Sequence, residues 1–211
     1  MNHLPIDHSD TPLRLFKSDF LEFFTHISPV TVVVLWLPVA VFFFARPIAA
    51  AGRLEGFVPA GFLLGLFLWT LLEYLLHRFL FHFPARGALQ ERISFLFHGV
   101  HHAQPQCKTR LVMPPAVSIP MAGIMYSLLY LLLAILLELP QWVGPLTSGL
   151  LVGYLVYDLT HYATHHFPMR SGYAKFLKRY HMQHHYKTPN QRFGVSSPFW
   201  DWVFGTMPSE K

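Results

Sequence analysis

Four stretches of this chain, residues 27–45, 57–81, 116–138 and 142–164, are apolar over lengths suited to crossing a bilayer. A spanning helix needs about 20 such residues. Inside the hydrocarbon every backbone N–H and C=O must find its partner within the chain, so these stretches impose helices. The third and fourth are separated only by Leu139-Pro140-Gln141, which requires a tight helical hairpin. The second is apolar through Leu72 and then carries Glu73, His77 and Arg78, so its helix is expected to project beyond the hydrocarbon. Composition agrees: 13% of residues are charged, against about 25% in a soluble domain. The many aromatic residues exclude a disordered chain, and nothing resembles a nucleic-acid motif. The single cysteine, Cys107, excludes an intramolecular disulfide and any cysteine-based zinc motif. The first apolar run begins too late for a secretory signal and has no small-residue cleavage site nearby.

Lysine and arginine orient the spans. With four crossings, the N-terminus, the connection between the second and third spans, and the tail share one side. That side holds 14 basic residues, and the other holds only Arg46 and Arg53. The positive-inside rule places the richer side, with both termini, in the cytoplasm. Ahead of the first span, Thr11-Pro12 reads as a helix start. Leu13, Phe16, Phe20, Phe23, Phe24 and Ile27 then recur at helical spacing among charged residues. Residues 1–26 are thus expected to form an amphipathic segment, lying in the interface or packed on the protein's own polar part. Residues 27–211 form the main domain. Lys175, Lys178 and Arg179 are expected at lipid headgroups, with an acidic redox partner as the other reading.

The 14 histidines are the second unusual feature. Ten fall into spaced groups: His77 and His82; His98, His101 and His102; His161 and His165; His181, His184 and His185. Residues at i, i+3 and i+4 share a helix face, so each H-x-x-H-H triplet can present three imidazoles together. His77 and His82 are five apart, about 140° on a regular helix. The second helix is therefore expected to loosen, or to widen into a π turn, between them. Neutral imidazole binds Fe, Zn, Cu or Ni. Ten imidazoles exceed the coordination of one ion, so two ions are implied. Carboxylates are expected to orient the rings through their free N–H groups, and Glu73, Asp158 and Asp201 are the candidates. With no bridging carboxylate among the ligands, the ions are expected farther apart than the ~4 Å of hydrolytic two-metal sites. His3, His8 and His26 read as interfacial rather than ligating. His166 breaks the one-face pattern and reads as a neighbour of the site. Tyr154, Tyr157 and Tyr162 suit either a pocket or an aromatic belt.

These groups, in this order, resemble the membrane fatty acid hydroxylase superfamily, most closely its fatty acid 2-hydroxylase branch. The resemblance rests on W-T-L-L-E-Y-L-L-H-R-F-L-F-H (Trp69–His82), F-H-G-V-H-H (Phe97–His102), R-L-V-M-P-P (Arg110–Pro115), G-Y-L-V-Y-D-L-T-H-Y-A-T-H-H (Gly153–His166) and F-G-V-S-S-P-F-W-D-W-V-F-G-T (Phe193–Thr206). It implies an all-α integral membrane protein: four transmembrane helices with a cytoplasmic helical cap carrying a histidine-rich two-metal site. It also implies two iron ions on the ten patterned histidines, with zinc able to replace iron in a purified sample. The implied reaction inserts one oxygen atom from O2 at C2 of a long-chain fatty acid or of a ceramide acyl chain. Trp69, Phe81, Tyr157, Phe199 and Trp200 are candidate substrate residues, and the Phe193–Thr206 segment is expected to cover the metals. Animal and fungal members often carry a fused haem domain. The segment before the first span leaves no room for one, so electrons are expected from a separate b-type cytochrome or a ferredoxin with its reductase. Cys107 stands where relatives usually have an acidic residue. The implied membrane is the endoplasmic reticulum in a eukaryote and the inner membrane in a bacterium. Desaturases and sterol or carotenoid hydroxylases use related histidine patterns. The H-Y-A-T-H-H box and the F-G-V-S-S ending favour the acyl branch. A membrane metal transporter or sensor is the reading outside enzymes, but such sites lie near the bilayer midplane, whereas these ligands gather at one face.

Overall fold

The structure, a computed structural model, describes residues 6–208. His3 and Lys211, both used in the sequence reading, lie outside them. All regular elements among the described residues are helical. Helix α1 (Asp19–Phe23) is short; α2 (Pro29–Ala51) starts where Ser28 Oγ accepts from the Thr31 N–H at 3.2 Å, with Pro29 at the first helical position. Helix α3 (Phe57–Leu75) runs on into a π turn, Leu76–Phe81. Helices α4 (Ala88–Ser94) and α5 (Val100–Ala103) flank a second π turn, Phe95–Gly99. Helix α6 (Pro115–Leu129) ends in a third, Tyr130–Leu136. A 3₁₀ turn, Pro140–Trp142, then closes the expected hairpin into α7 (Val143–His166). Helices α8 (Gly172–Tyr186) and α9 (Phe199–Val203) complete the chain.

Among the described residues, three segments are long and apolar enough to cross a membrane: Pro29–Ala51, Phe57–Phe81 and Pro115–Leu136. The fourth predicted span is also one helix, α7, of 24 residues, but it is not among them. Its glycines, Thr147, Ser148 and Asp158 dilute its apolar character, and nearly all of these are buried. Helix α7 is the axis of the bundle and buries most of its surface against protein, leaving Val156 and Leu159 outward, so most of that surface need not match lipid.

Close backbone approach fixes α7 against α3. A Cβ on Gly149 would stand 2.0 Å from the Phe62 carbonyl oxygen, and one on Gly65 would stand 2.2 Å from that of Leu146. Only glycine permits this spacing, the small-residue mode of membrane helix packing. Helix α2 joins through Ser148 Oγ, which donates to the Ala40 carbonyl at 2.8 Å, and through Trp36 set edge-on to Tyr154. Helix α6 stands apart, leaving an apolar cavity of about 260 Å³ walled by Trp36, Trp69, Tyr126 and Tyr154.

The helix predicted from Thr11 does not form. Residues 11–17 lie without regular structure, and α1 begins instead at Asp19, capped by Ser18. Side chains satisfy backbone groups that a helix would have satisfied. Gln104 Oε1 accepts from the Leu13 N–H at 2.8 Å, and Glu22 Oε2 accepts from those of Leu15 and Phe16 at 2.9 Å. The segment packs on the protein through these bonds, while Phe20 and Phe23 remain exposed. Lys178 is likewise a capping residue. Its ammonium donates to the carbonyls of Thr164 (2.7 Å) and Phe167 (3.0 Å) at the end of α7, where helix carbonyls lack partners.

Candidate metal centre

The ten patterned histidines converge where α3, α5, α7 and α8 meet, and they form two groups of five. His77, His82, His98, His102 and His184 make the first; His101, His161, His165, His181 and His185 make the second. Within each, one nitrogen per ring lies within 4.8 Å of all the others. No histidine is shared, and neither group includes a carboxylate.

Local backbone explains the convergence. The π turn after α3 is closed by the His82 N–H donating to the His77 carbonyl at 3.1 Å, a five-residue bond that brings both rings to one side. The five-residue spacing announced this widening. Each H-x-x-H-H triplet, expected to act together, is divided. His98 and His102, one turn apart, enter the first group while His101 enters the second; His181 and His185 enter the second while His184 enters the first. Adjacent helical residues differ by about 100° in direction, so each triplet reaches both centres. His102 and His185 stack at 4.1 Å and form the wall between the groups.

The donor geometry fits metal ions. Nε2···Nε2 separations are 3.1 Å for His77–His98 and His184–His82 and 3.0 Å for His102–His98. In the second group they are 2.9 Å for His161–His101 and 3.0 Å for His101–His185, His181–His165 and His185–His181. Two nitrogens about 2.1 Å from one ion and at a right angle to each other stand ~3.0 Å apart. Burial, with neighbouring imidazoles, drives the basicity of His98, His101, His102, His181 and His185 well below the ordinary value. Burial also brings His184 down to about 4, against the opposing effect of the Gln191 carbonyl. The rings are therefore neutral near pH 7, the form that ligates. His77 and His184 donate Nδ1–H to the carbonyls of Phe193 and Gln191, the latter at 2.7 Å, which leaves Nε2 bare and facing its neighbours. In the second group Nδ1 of His101, His161, His165 and His181 is buried with no hydrogen-bond partner among the described residues.

The three carboxylates act one step further out than expected. None is hydrogen-bonded to an imidazole among the described contacts. Asp201 accepts from the N–H groups of Phe193 (2.8 Å) and Gly194 (2.7 Å) and from Thr206 Oγ1. Glu73 accepts from Val195 (2.6 Å) and Ser196 (2.8 Å) and from the Ser196 hydroxyl. Together they pin the loop whose Phe193 carbonyl orients His77. The Phe193 ring also lies against His77, His82 and His184, so this part of the ending segment covers the first group, as expected. Asp158 accepts from the Met113 N–H (3.1 Å) and the Tyr154 hydroxyl (2.9 Å), tying the R-L-V-M-P-P segment to α7. The orienting carbonyls of Phe193 and Gln191 were invisible in the sequence, because every residue carries one.

A second cavity, of about 280 Å³, reaches His98 of the first group and His101 and His161 of the second. Phe81, Tyr157, Asp158 and Arg110 also line it. Trp69 lines the other cavity. Phe199 and Trp200 line neither. They pack on Phe67, with Trp200 Nε1–H donating to Thr70 Oγ1 at 2.9 Å. His8 stacks on Tyr186, His26 bonds Thr109, and His166 lies against Tyr162, all outside both groups. Cys107 is buried, its thiol 3.7 Å from Thr109 Oγ1.

A histidine-lined two-centre site capping a bundle of membrane-length helices is the form of a membrane oxygenase. Residues 62–206 match the family model for fatty acid hydroxylase, and the chain belongs to that family. It is 37% identical over 209 residues to a dihydroceramide fatty acyl 2-hydroxylase of Arabidopsis thaliana, covering 99% of this chain and 85% of the relative. It is 34% identical to the human fatty acid 2-hydroxylase, covering 99% of this chain and 59% of that protein. A solved structure of full-length scs7p, in which only the hydroxylase domain is visible, superposes with a TM-score of 0.82 at 39% identity, covering 90% of this chain and 70% of that one.

Proposed function

We propose that this protein hydroxylates C2 of a long-chain fatty acid or of the acyl chain of a ceramide. Its relatives carry that activity in their names. The observation that carries the reading is the cavity of about 280 Å³, apolar over most of its wall and bounded by histidines of both groups. An alkyl chain inside it would lie against both centres.

Two iron ions would occupy the two groups of five imidazoles, with zinc as a substitute in a purified sample, and would supply O2 activation for C–H oxygenation. The protein's own contribution is positioning and exclusion of water. Phe81 and Tyr157 wall the cavity beside His98 and His161, and the Asp201 and Glu73 anchors keep the Phe193 loop closed over the first group. Electrons would come from a separate b-type cytochrome or a ferredoxin with its reductase. We place α7 as a fourth crossing, since 24 residues of helix reach roughly 36 Å. Both termini and the metal centre then face the cytoplasm, with the basic residues divided 14 to 2. The membrane would be the endoplasmic reticulum of a eukaryote or the inner membrane of a bacterium. Residues 27–211 would be the hydroxylase domain.

The test is mass spectrometry of lipids from cells expressing the wild type or His184→Ala. A gain of one oxygen on C2 of the acyl chain is expected with the wild type alone. Loss of two hydrogens instead of gain of oxygen would turn the reading to a desaturase.

A further inference from the structure

The geometry points to the N-terminal segment, residues 13–25, as the outer wall of the substrate cavity, contacting the alkyl chain and selecting which acyl chains are hydroxylated. This rests on the reading of that cavity as the acyl site.

Leu15, Phe16, Leu21 and Phe24 all line the cavity that reaches His98, His101 and His161. The segment is thus part of the same enclosure as the metal ligands, although no histidine pattern marks it. Its position is set by a buried latch. The Arg110 guanidinium, with a side chain only 3% exposed, pairs with Glu22 and donates to the Leu13 carbonyl. Glu22 in turn accepts from the Leu15 and Phe16 N–H groups. Gln104, two residues after His102, accepts from the Leu13 N–H and donates to the Thr11 carbonyl at 3.0 Å. The wall is therefore referenced to the helix that carries His98, His101 and His102.

Phe20 and Phe23 point outward at 71% and 73% exposure, beside three membrane-length helices among the described residues. Aromatic side chains exposed in this way favour the membrane interface. The segment thus places Leu21 and Phe24, which line the cavity yet remain partly exposed, at its outer rim, with Phe20 and Phe23 packed on Phe24 and facing outward. It stands between the bilayer, where acyl chains reside, and the histidines. Phe16 and Phe24 are specificity-determining residues here; Glu22 and Arg110 are positioning residues.

The test uses the full chain in membranes, supplied with saturated ceramides and matching free fatty acids that differ only in acyl length. Phe24→Ala is expected to change the ratio of kcat/KM between the longest and shortest chains about tenfold, as a hydrophobic pocket does for small changes of fit. Phe24→Trp should shift it the opposite way, and Glu22→Ala should shift it as Phe24→Ala does. Metal content should match the wild type in all three. Val34→Ala, exposed on α2 and outside the cavity's lining, should leave the ratio unchanged. A fatty acid carrying a chain-end diazirine should label the peptide containing residues 13–25, in the wild type and in His184→Ala alike. An unchanged ratio in an active Phe24→Ala enzyme overturns the proposal, as does loss of metal in that variant. Absence of labelling overturns it as well. Labelling without any 2-hydroxylated product keeps the wall and sinks the hydroxylation reading, so the two failures are distinguishable.

Discussion

The Nδ1–H of His77 donates to the carbonyl oxygen of Phe193, a residue 116 positions further along the chain. That one bond fixes the ring's tautomer, and the carbonyl is itself held by Asp201 through the Phe193 N–H. Asp201→Ala would leave the buried N–H donors of Phe193 and Gly194 unmet, each costing about 1–3 kcal/mol. The loop that orients His77 should then loosen. The expected outcome is loss of close to one metal equivalent per chain, measured by elemental analysis of detergent-purified protein, with a lower Tm. Asp201→Asn, which keeps one acceptor oxygen, should be milder. Full metal content and unchanged melting in Asp201→Ala would remove the anchoring role.

The two groups of five share no residue, so they should fail separately. His184→Ala should deplete the first centre and leave the second loaded; His101→Ala should do the reverse. Each variant should retain about one of two ions yet yield no 2-hydroxylated lipid. Elemental analysis beside lipid mass spectrometry reads both. Retention of both ions in either variant would contradict the partition of the ten histidines.

Helix α7 against α3 offers a packing test with an internal control. Gly149→Val would force a methyl-bearing Cβ into the Phe62 carbonyl and the Leu66 N–H, 2.0 and 2.8 Å away. Overpacking of this kind costs about 1–3 kcal/mol and sometimes more. A Cβ on Gly123 of α6 meets nothing within 4 Å, so Gly123→Ala should be neutral or slightly stabilising. Thermal melts in one detergent should separate the two variants clearly.

These features differ in how far the sequence disclosed them. The five-residue gap between His77 and His82 does not fit a regular helix face, so local spacing announced a departure, and the π turn is the one of its two forms that the structure takes. The division of each H-x-x-H-H triplet did not follow from spacing. Periodicity tells which side chains share a face of one helix, whereas the assignment of His101 and His102 to different centres depends on what α7 and α8 place around α5. The apolar period from Leu13 to Ile27 was real as a pattern and misleading as a helix, because Glu22 and Gln104 offered the backbone competing partners. Glu73, Asp158 and Asp201 were legible as carboxylates near the histidine groups, but not for the segments they hold. Each takes backbone N–H groups as partners beside a hydroxyl, and backbone donors leave no trace in residue type.

The latch between Glu22 and Arg110 gives the last prediction, a dependence on pH. Burial alone would raise the basicity of Glu22. The N–H groups of Phe16 and Leu15 and the Arg110 guanidinium outweigh it and hold the carboxyl below its usual range. A carboxylate depressed on folding contributes stability that is fully present above its unfolded pKa and fades as pH falls through its folded one. The N-terminal segment should therefore stay docked from neutral pH down to the ordinary carboxylate range and release only below it. Hydrogen exchange of residues 13–25, read at a series of pH values and corrected for intrinsic rate, should show protection constant above that range and lost beneath it. Glu22→Gln removes the titrating charge, so its protection should be weaker at neutral pH and flat through the acid range. A wild-type segment that loosens already near pH 6, or a Glu22→Gln profile that still bends in acid, would assign the docking to some other group.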